Sequence, residues 1–213
     1  TDETGSFYLP QKLEYGTYYL REVKAPEGYL LNTEDIQFKV IAERDWENPL
    51  VVACEDVPAM GKIHLKKTDK ESEEALAGAV FNVIAAENIT TPDGTLQAAK
   101  AEVVTTLTTG SDGTATSTAL HFGKYKLVET KAPNGYVTSE KNWDVTLSYA
   151  DQETEIVTKD VSVTNTPNEV KIKKVAADSQ EALAGVEFQV WKKGTSAKDN
   201  LFDLYYADKP LFL

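Results

Sequence analysis

Residues 125–136 read Tyr-Lys-Leu-Val-Glu-Thr-Lys-Ala-Pro-Asn-Gly-Tyr, and residues 18–29 read Tyr-Tyr-Leu-Arg-Glu-Val-Lys-Ala-Pro-Glu-Gly-Tyr, the same pattern 107 positions earlier. Each is a short alternating segment running into a Pro-Xaa-Gly turn, the signature of a strand that ends in a tight loop. The same offset links Glu74-Ala-Leu-Ala-Gly78 to Glu181-Ala-Leu-Ala-Gly185, and Ile63-His-Leu-Lys-Lys67 to Val170-Lys-Ile-Lys-Lys174. It also links Phe81-Asn-Val-Ile84 to Phe188-Gln-Val-Trp191, and the segment closing at Pro58 (Val52-Ala-Cys-Glu-Asp-Val) resembles the one closing at Pro167 (Val161-Ser-Val-Thr-Asn-Thr). An internal period of this kind decides the organisation before any single residue does.

The matches fall out of phase with the ends of the chain. Residues 1–60 hold the C-terminal half of a repeat, 61–168 a complete one, and 169–213 the N-terminal half of another. Joining Leu213 to Thr1 gives a strand, a polar Gly-containing turn and a second strand. The middle repeat has that layout over Val103–Ala115, which predicts a hairpin with Gly110-Ser-Asp-Gly113 as its turn. Two sources of the phase shift stand beside the bland one of arbitrary truncation. The unit is cut from a longer tandem array, or its split domain closes against a neighbouring copy.

Alternation recurs over Lys62–Lys67, Phe81–Ile84, Lys124–Glu129, Trp143–Tyr149 and Glu155–Val163, with turns at Pro92-Asp-Gly94, Asp112-Gly113 and Pro133-Asn-Gly135. Short strands at this density predict an all-β fold of antiparallel sandwiches. The charged stretch Lys70–Ala77 reads as a loop.

Composition narrows the chemistry. Of 213 residues, 22 are Lys or Arg and 34 are Asp or Glu, a formal charge of −12. That balance disfavours nucleic acid and anionic membrane surfaces as partners. No apolar run has the length of a membrane span, and Thr1–Pro10 has no signal-peptide pattern, so a mature or excised soluble segment is expected. One cysteine, Cys54, excludes an internal disulfide; with only His64 and His121 besides, no soft-ligand metal centre and no cofactor is expected.

Strand parity then singles out three polar residues. Ile63 and Leu65 share a face with Lys67, Tyr125 and Leu127 with Glu129, and Val161 and Val163 with Asn165. Burying a Lys or a Glu is costly unless it is paired. Together the three have a chemistry. An apolar site favours the neutral amine, which can attack a carboxamide, while a buried carboxyl held protonated bonds the amide oxygen and shuttles protons as ammonia leaves. Fixed geometry supplies the remaining acceleration. The product is an isopeptide bond from Lys67 Nζ to Asn165 Cγ, formed once, without turnover. In the split repeat Tyr18, Leu20 and Glu22 share a face, as do Val52, Cys54 and Asp56, and as do Ile172 and Lys174. Asp56 stands where the other copy has Asn165, so water would leave. Its lysine lies upstream of Thr1, or is Lys174 of an adjacent copy, or is Lys174 of the same chain if the halves fold together around the middle domain.

The segment Leu127-Val-Glu-Thr-Lys-Ala-Pro-Asn-Gly-Tyr136 resembles the E-box of Cna B-type, or SpaA-type pilin, domains of Gram-positive surface proteins. Lys67-Thr-Asp69 with Leu76-Ala-Gly-Ala-Val-Phe81 resembles their opening strand and the segment after it, and Thr164-Asn-Thr-Pro167 their final strand. The resemblance covers essentially the whole chain. It implies tandem immunoglobulin-like sandwiches, one complete and one split, with autocatalytic isopeptide bonds and a stalk or pilus-shaft role on the cell wall. It makes Lys67 and Asn165 the crosslinked pair with Glu129 as promoter, and in the other repeat Lys174 and Asp56 with Glu22. The expected partners are neighbouring copies or repeats, with a host ligand as a further candidate. Departures exist: no Leu-Pro-Xaa-Thr-Gly sorting signal or pilin-motif lysine is present, and Lys174 is followed by Val-Ala-Ala-Asp rather than Thr-Asp.

Blander readings stand beside these. Lys67, Glu129 and Asn165 could form a buried ion pair capped by an asparagine. Cys54, on an inward face, reads as a small core residue, and His64 and His121 as surface or hairpin residues. Asn88-Ile-Thr90 fits a glycosylation sequon that a bacterial protein leaves idle, and the Asp-Gly pairs sit at turns rather than in a calcium loop. Trp143 reads as core, while Trp46 and Trp191 are too scattered for a sugar platform. Three non-enzymatic roles follow: a crosslinked stalk, an adhesin that needs a large exposed apolar patch, or a module attached to a surface enzyme.

Overall fold

The computed structural model describes residues 1–41 and 47–190 and the backbone of 202 and 203; Trp46, Trp191 and Leu213, with their expectations, lie outside the described residues. Among the described residues, thirteen strands follow one another: β1 (Gly16–Leu20), β2 (Ile36–Val40), β3 (Met60–Asp69), β4 (Val80–Ala85), β5 (Ile89–Thr90), β6 (Leu96–Ala98), β7 (Val103–Thr108), β8 (Thr114–Thr116), β9 (Gly123–Lys131), β10 (Asn142–Leu147), β11 (Ile156–Asn165), β12 (Gln189–Val190) and β13 (Phe202–Asp203). Lys70–Ala77 is a loop, as its composition predicts. No helix among the described residues is long and apolar enough to cross a membrane.

The chain divides into two compact units, Thr1–Asn168 and Glu169–Leu213. Within the first, residues 60–168 form a sandwich of two sheets, ordered β10-β9-β4-β7 and β11-β3-β8. Alternate residues of both sheets, among them Ile63, Leu65, Phe81, Val83, Tyr125, Leu127, Val145 and Val163, fill one core. Trp143 packs against it, its ring edge-on to Phe81 at 5.9 Å. The opening strand β3 and the final strand β11 are parallel neighbours, in register from Met60 opposite Ile156 to Asp69 opposite Asn165. The expected hairpin over Val103–Ala115 is instead a corner. β7 pairs with β4 and β8 with β3, so the Gly110–Gly113 turn carries the chain from one sheet to the other.

Residues 1–58 reproduce half of that sandwich. β1 and β2 pair from Gly16 opposite Val40 to Leu20 opposite Ile36, the register of β9 and β10 from Gly123 opposite Leu147 to Leu127 opposite Trp143. The bridge Tyr29–Pro58 answers Tyr136–Pro167. This half is tied to the middle sandwich by Gln152, whose carbonyl oxygen accepts from Leu31 N (2.9 Å) and whose Oε1 accepts from Ala25 N (3.1 Å). Tyr149 adds a bond from its hydroxyl to Tyr29 O (3.2 Å).

The second unit repeats the local turns of the opening half. Leu183 N donates to Lys174 O at 3.0 Å as Leu76 N does to Lys67 O at 3.0 Å, and the bridge Val175–Ala182 answers Thr68–Ala75. Two strand expectations fail. Neither Val52–Asp56 nor Val170–Lys174 is a strand, although the equivalent segments in the middle domain are β11 and β3. Those two pair with each other; a segment with no partner for its backbone groups has no ladder to join.

Candidate functional site

β3, β9 and β11 deliver Lys67, Glu129 and Asn165 to one end of the core, and all three are buried, Lys67 completely. Asn165 lies one step diagonally along the parallel pair from Lys67, whose Cα partner is Val163; Glu129 comes from the facing sheet, opposite Phe81. The residues that parity picked out are thus brought together.

Lys67 Nζ reaches Val163 O at 3.5 Å. Burial draws its pKa down from the ordinary 10.5 to about 8, against the opposite pull of the Glu129 and Asp69 carboxylates. Asn165 Nδ2 donates both its protons, to Glu129 Oε2 at 3.0 Å and to Val137 O at 2.8 Å. Because a carbonyl can only accept, Val137 fixes which way the amide faces. Glu129 Oε2 also accepts from Ser139 N at 2.6 Å. Two buried oxygens, Glu129 Oε1 and Asn165 Oδ1, have no hydrogen-bond partner. Leaving two buried acceptors unmet is costly. A cleft of about 440 Å³ lined by Val137, Ser139, Trp143, Thr164 and Asn165 opens beside the amide.

Sequence reasoning missed three supports of this site. Asp69, beside Lys67 on the inward face of β3 and 4% exposed, adds a fourth buried polar side chain to the three. It accepts from Glu71 N and Ser72 N at 2.7 and 2.8 Å. The parity that found Lys67 reaches it two residues on. Gly113 presses its backbone onto β3: Lys67 N donates to Gly113 O at 2.8 Å, and a Cβ at Gly113 would lie 2.5 Å from Lys67 O. Its φ of +71° also belongs to glycine. The third support, the backbone of Val137 and Ser139, has no side-chain signal.

In the first half, Glu22 and Asp56 meet. Glu22 Oε2 accepts from Asn32 N at 2.7 Å, as Glu129 does from Ser139. Burial and the neighbouring Glu22 charge, together with a hydrogen bond between the two side chains, push the Asp56 pKa upward. Both residues are only partly buried, and Cys54, expected in the core, is exposed. Its equivalent, Val163, is 1% exposed under the β3 half of the sandwich; residues 1–58 contain no such half. Lys174, in the second unit, is exposed there. Among the described residues no cluster of three or more His, Cys, Asp or Glu could hold a metal ion.

Comparison with known proteins identifies the family. The model of the SpaA prealbumin-like fold domain matches residues 1–49 and 61–162. The trypsin-resistant surface T6 protein of Streptococcus pyogenes serotype M6 is 28% identical over 122 residues, which is 57% of this chain and 20% of that protein. The chain therefore spans about a fifth of the length of this relative. Among solved structures, the Bacillus anthracis TIE protein matches 73% of this chain and 26% of its own at 25% identity, with a TM-score of 0.52. The T6 backbone pilin of serotype M6 Streptococcus pyogenes matches 52% of this chain and 35% of its own at 17% identity and a TM-score of 0.39.

Proposed function

Because the chain belongs to the family of SpaA prealbumin-like fold domains, we propose that it is a structural segment of a Gram-positive cell-surface pilus or stalk, locked by an isopeptide bond between Lys67 and Asn165. The observation that carries this reading is the buried meeting of Lys67, Glu129 and Asn165 around two unpartnered oxygens. An ion pair alone would leave Asn165 Oδ1 unsatisfied; a reacting trio explains it.

The neutral Lys67 amine attacks Asn165 Cγ. A proton on Glu129 Oε1 bonds Asn165 Oδ1 and stabilises the negative charge that develops there. Glu129 takes the proton that Nζ loses and returns one to Nδ2, already its hydrogen-bond donor at 3.0 Å. The Cγ–Nδ2 bond breaks, ammonia leaves by the adjoining cleft, and Glu129 ends as it began. The bond ties the opening strand to the closing strand of one sandwich, where tension along a shaft would otherwise shear the parallel pair apart. The chain is its own only substrate, so it is a structural protein rather than an enzyme. An adhesin would need a large apolar patch on the finished domain. The exposed large apolar residues instead concentrate in the two half-repeats, including Phe7, Tyr8, Tyr19, Val51 and Val170, which favours the shaft.

The test is the intact mass of the chain beside Glu129→Ala and Lys67→Ala. A wild type lighter than its sequence by one ammonia, with both variants at their calculated masses, is expected. An unshifted wild type would leave a plain sandwich with a buried ion pair.

A further inference from the structure

The turn at Pro133-Asn-Gly135 closes with Tyr136 N donating to Pro133 O at 3.2 Å, and Gly135 takes a φ of +89°. A hydrogen-bonded turn with positive φ at its third residue is of type II and calls for glycine there. That requirement brings a chemistry with it. Asparagine is among the chemically labile residues, and a glycine after it presents a backbone nitrogen with no Cβ beside it. Of the asparagines in this chain only Asn134 precedes a glycine.

The surroundings leave this pair unrestrained. Asn134 and Gly135 are both exposed, and a Cβ on Gly135 would meet nothing within 4 Å. Among the described residues neither the Asn134 amide nor Gly135 N has a hydrogen-bond partner. Other side-chain amides are held. Asn32 Oδ1 accepts from Glu34 N at 3.0 Å and its Nδ2 donates to Glu55 O at 3.3 Å, while Asn88 Oδ1 accepts from Lys100 N at 2.9 Å. They are followed by Thr33 and Ile89, whose side chains crowd the backbone nitrogen. Nor does the exposure of Asn134 depend on what lies beyond the domain. Glu27 holds the equivalent place in a turn that is docked, with Pro92 against Gly28, and it is exposed there as well.

We propose that Asn134-Gly135 is a self-modifying site of the middle domain, closing to a succinimide that water opens to aspartate and isoaspartate. Gly135 N attacks Asn134 Cγ, the Cγ–Nδ2 bond breaks, and ammonia leaves with the proton that Gly135 N gave up. Water then adds to one of the two ring carbonyls and the ring opens. Either product puts a negative charge where the first half carries Glu27. Isoaspartate also routes the main chain through Cβ and Cγ. It thereby lengthens the span from Glu129 to Val137 O and Ser139 N, the backbone groups that hold Asn165 and Glu129.

The experiment incubates the folded 213-residue chain at mildly alkaline pH and follows the tryptic peptide Ala132–Lys141, whose one asparagine is Asn134, by mass and fragmentation. The peptide should gain the mass difference between a carboxylic acid and its amide, with isoaspartate outnumbering aspartate. Conversion should quicken as pH rises, because the attacking nitrogen must lose its proton. The peptide Ala25–Lys39, which carries Asn32, should stay unchanged, and Asn134→Gln should abolish the conversion. A peptide that stays intact in the folded chain yet converts in urea would overturn the proposal, since the turn would then protect the amide. Aspartate without isoaspartate would overturn the succinimide route. The succinimide is itself lighter by one ammonia, as a Lys67–Asn165 bond would be. Asn134→Gln removes only the first loss and Lys67→Ala only the second, so this inference and the crosslink reading stand or fall separately.

Discussion

The corner around Glu129 and the corner around Glu22 share a backbone but not a solvent. Each glutamate accepts from a backbone N–H ten residues on, at 2.6 and 2.7 Å, and each faces a side chain from the closing segment, Asn165 or Asp56. Around Glu129 a second half-sandwich excludes water and supplies a buried lysine. Around Glu22 the same face is open, and Cys54 is in solvent. Local sequence thus sets the turn and the aim of the carboxylate, whereas its burial depends on the other half.

The largest way to break that comparison is to remove the lysine that only the closed corner holds. Lys67→Ala should lose the crosslink and, with it, the constraint on a loop of roughly a hundred residues, which is worth about 5 kcal/mol by the chain-entropy account. Denaturant unfolding against the crosslinked wild type measures it, and equal stabilities would mean that the closed corner is not covalent.

A smaller effect appears where the bond cannot form. In Asn165→Ala the amine stays free, with a folded pKa of about 8 against an ordinary 10.5. Between those values the unfolded chain binds the extra proton, so stability should rise with pH at up to about 1.4 kcal/mol per unit. The penalty is full below pH 8 and gone above 10.5. Flat unfolding midpoints across that window would show that Lys67 is not desolvated.

Two glycines sharpen the contrast between the docked and the free turn. Gly28 (φ +91°) and Gly135 (φ +89°) occupy the same position, but a Cβ on Gly28 would lie 2.4 Å from Pro92 Cγ, whereas one on Gly135 meets nothing within 4 Å. Both substitutions by alanine carry backbone strain of about 1–2 kcal/mol. Gly28→Ala should cost about 1–3 kcal/mol more, from the clash, together with faster proteolysis of residues 1–58. Equal costs would mean that the joint with the middle sandwich is loose.

The smallest effect leaves stability untouched. Cys54 should alkylate to completion in the folded chain, while a cysteine introduced by Val163→Cys in a Cys54→Ser chain should not react. Equal labelling of the two cysteines would mean that the two corners do not differ in their access to solvent.

Much of this was legible before any coordinate. The 107-residue offset at Tyr18–Tyr29 and Tyr125–Tyr136 corresponds to equal strand registers, and parity placed Lys67, Glu129 and Asn165 on inward faces because a strand leaves side chains only two directions. Other features were not legible. Val103–Ala115 reads as a hairpin because a turn between two alternating segments looks the same whether its strands pair together or with different sheets. Val52–Asp56 and Val170–Lys174 have strand sequences but no strand structure, and Cys54 has an inward parity but no interior.

The sequence by itself determined the repeat, the β-class, the turns and the facing of Lys67, Glu129 and Asn165, since these depend on neighbours two to ten positions away. Only the tertiary structure decided that β3 and β11 lie parallel, that Gly113 and Asp69 brace Lys67, and that Glu129 Oε1 and Asn165 Oδ1 are left without partners. It also decided that one corner is dry and the other wet. Burial belongs to whichever segments cover a face, and those lie far away in the sequence.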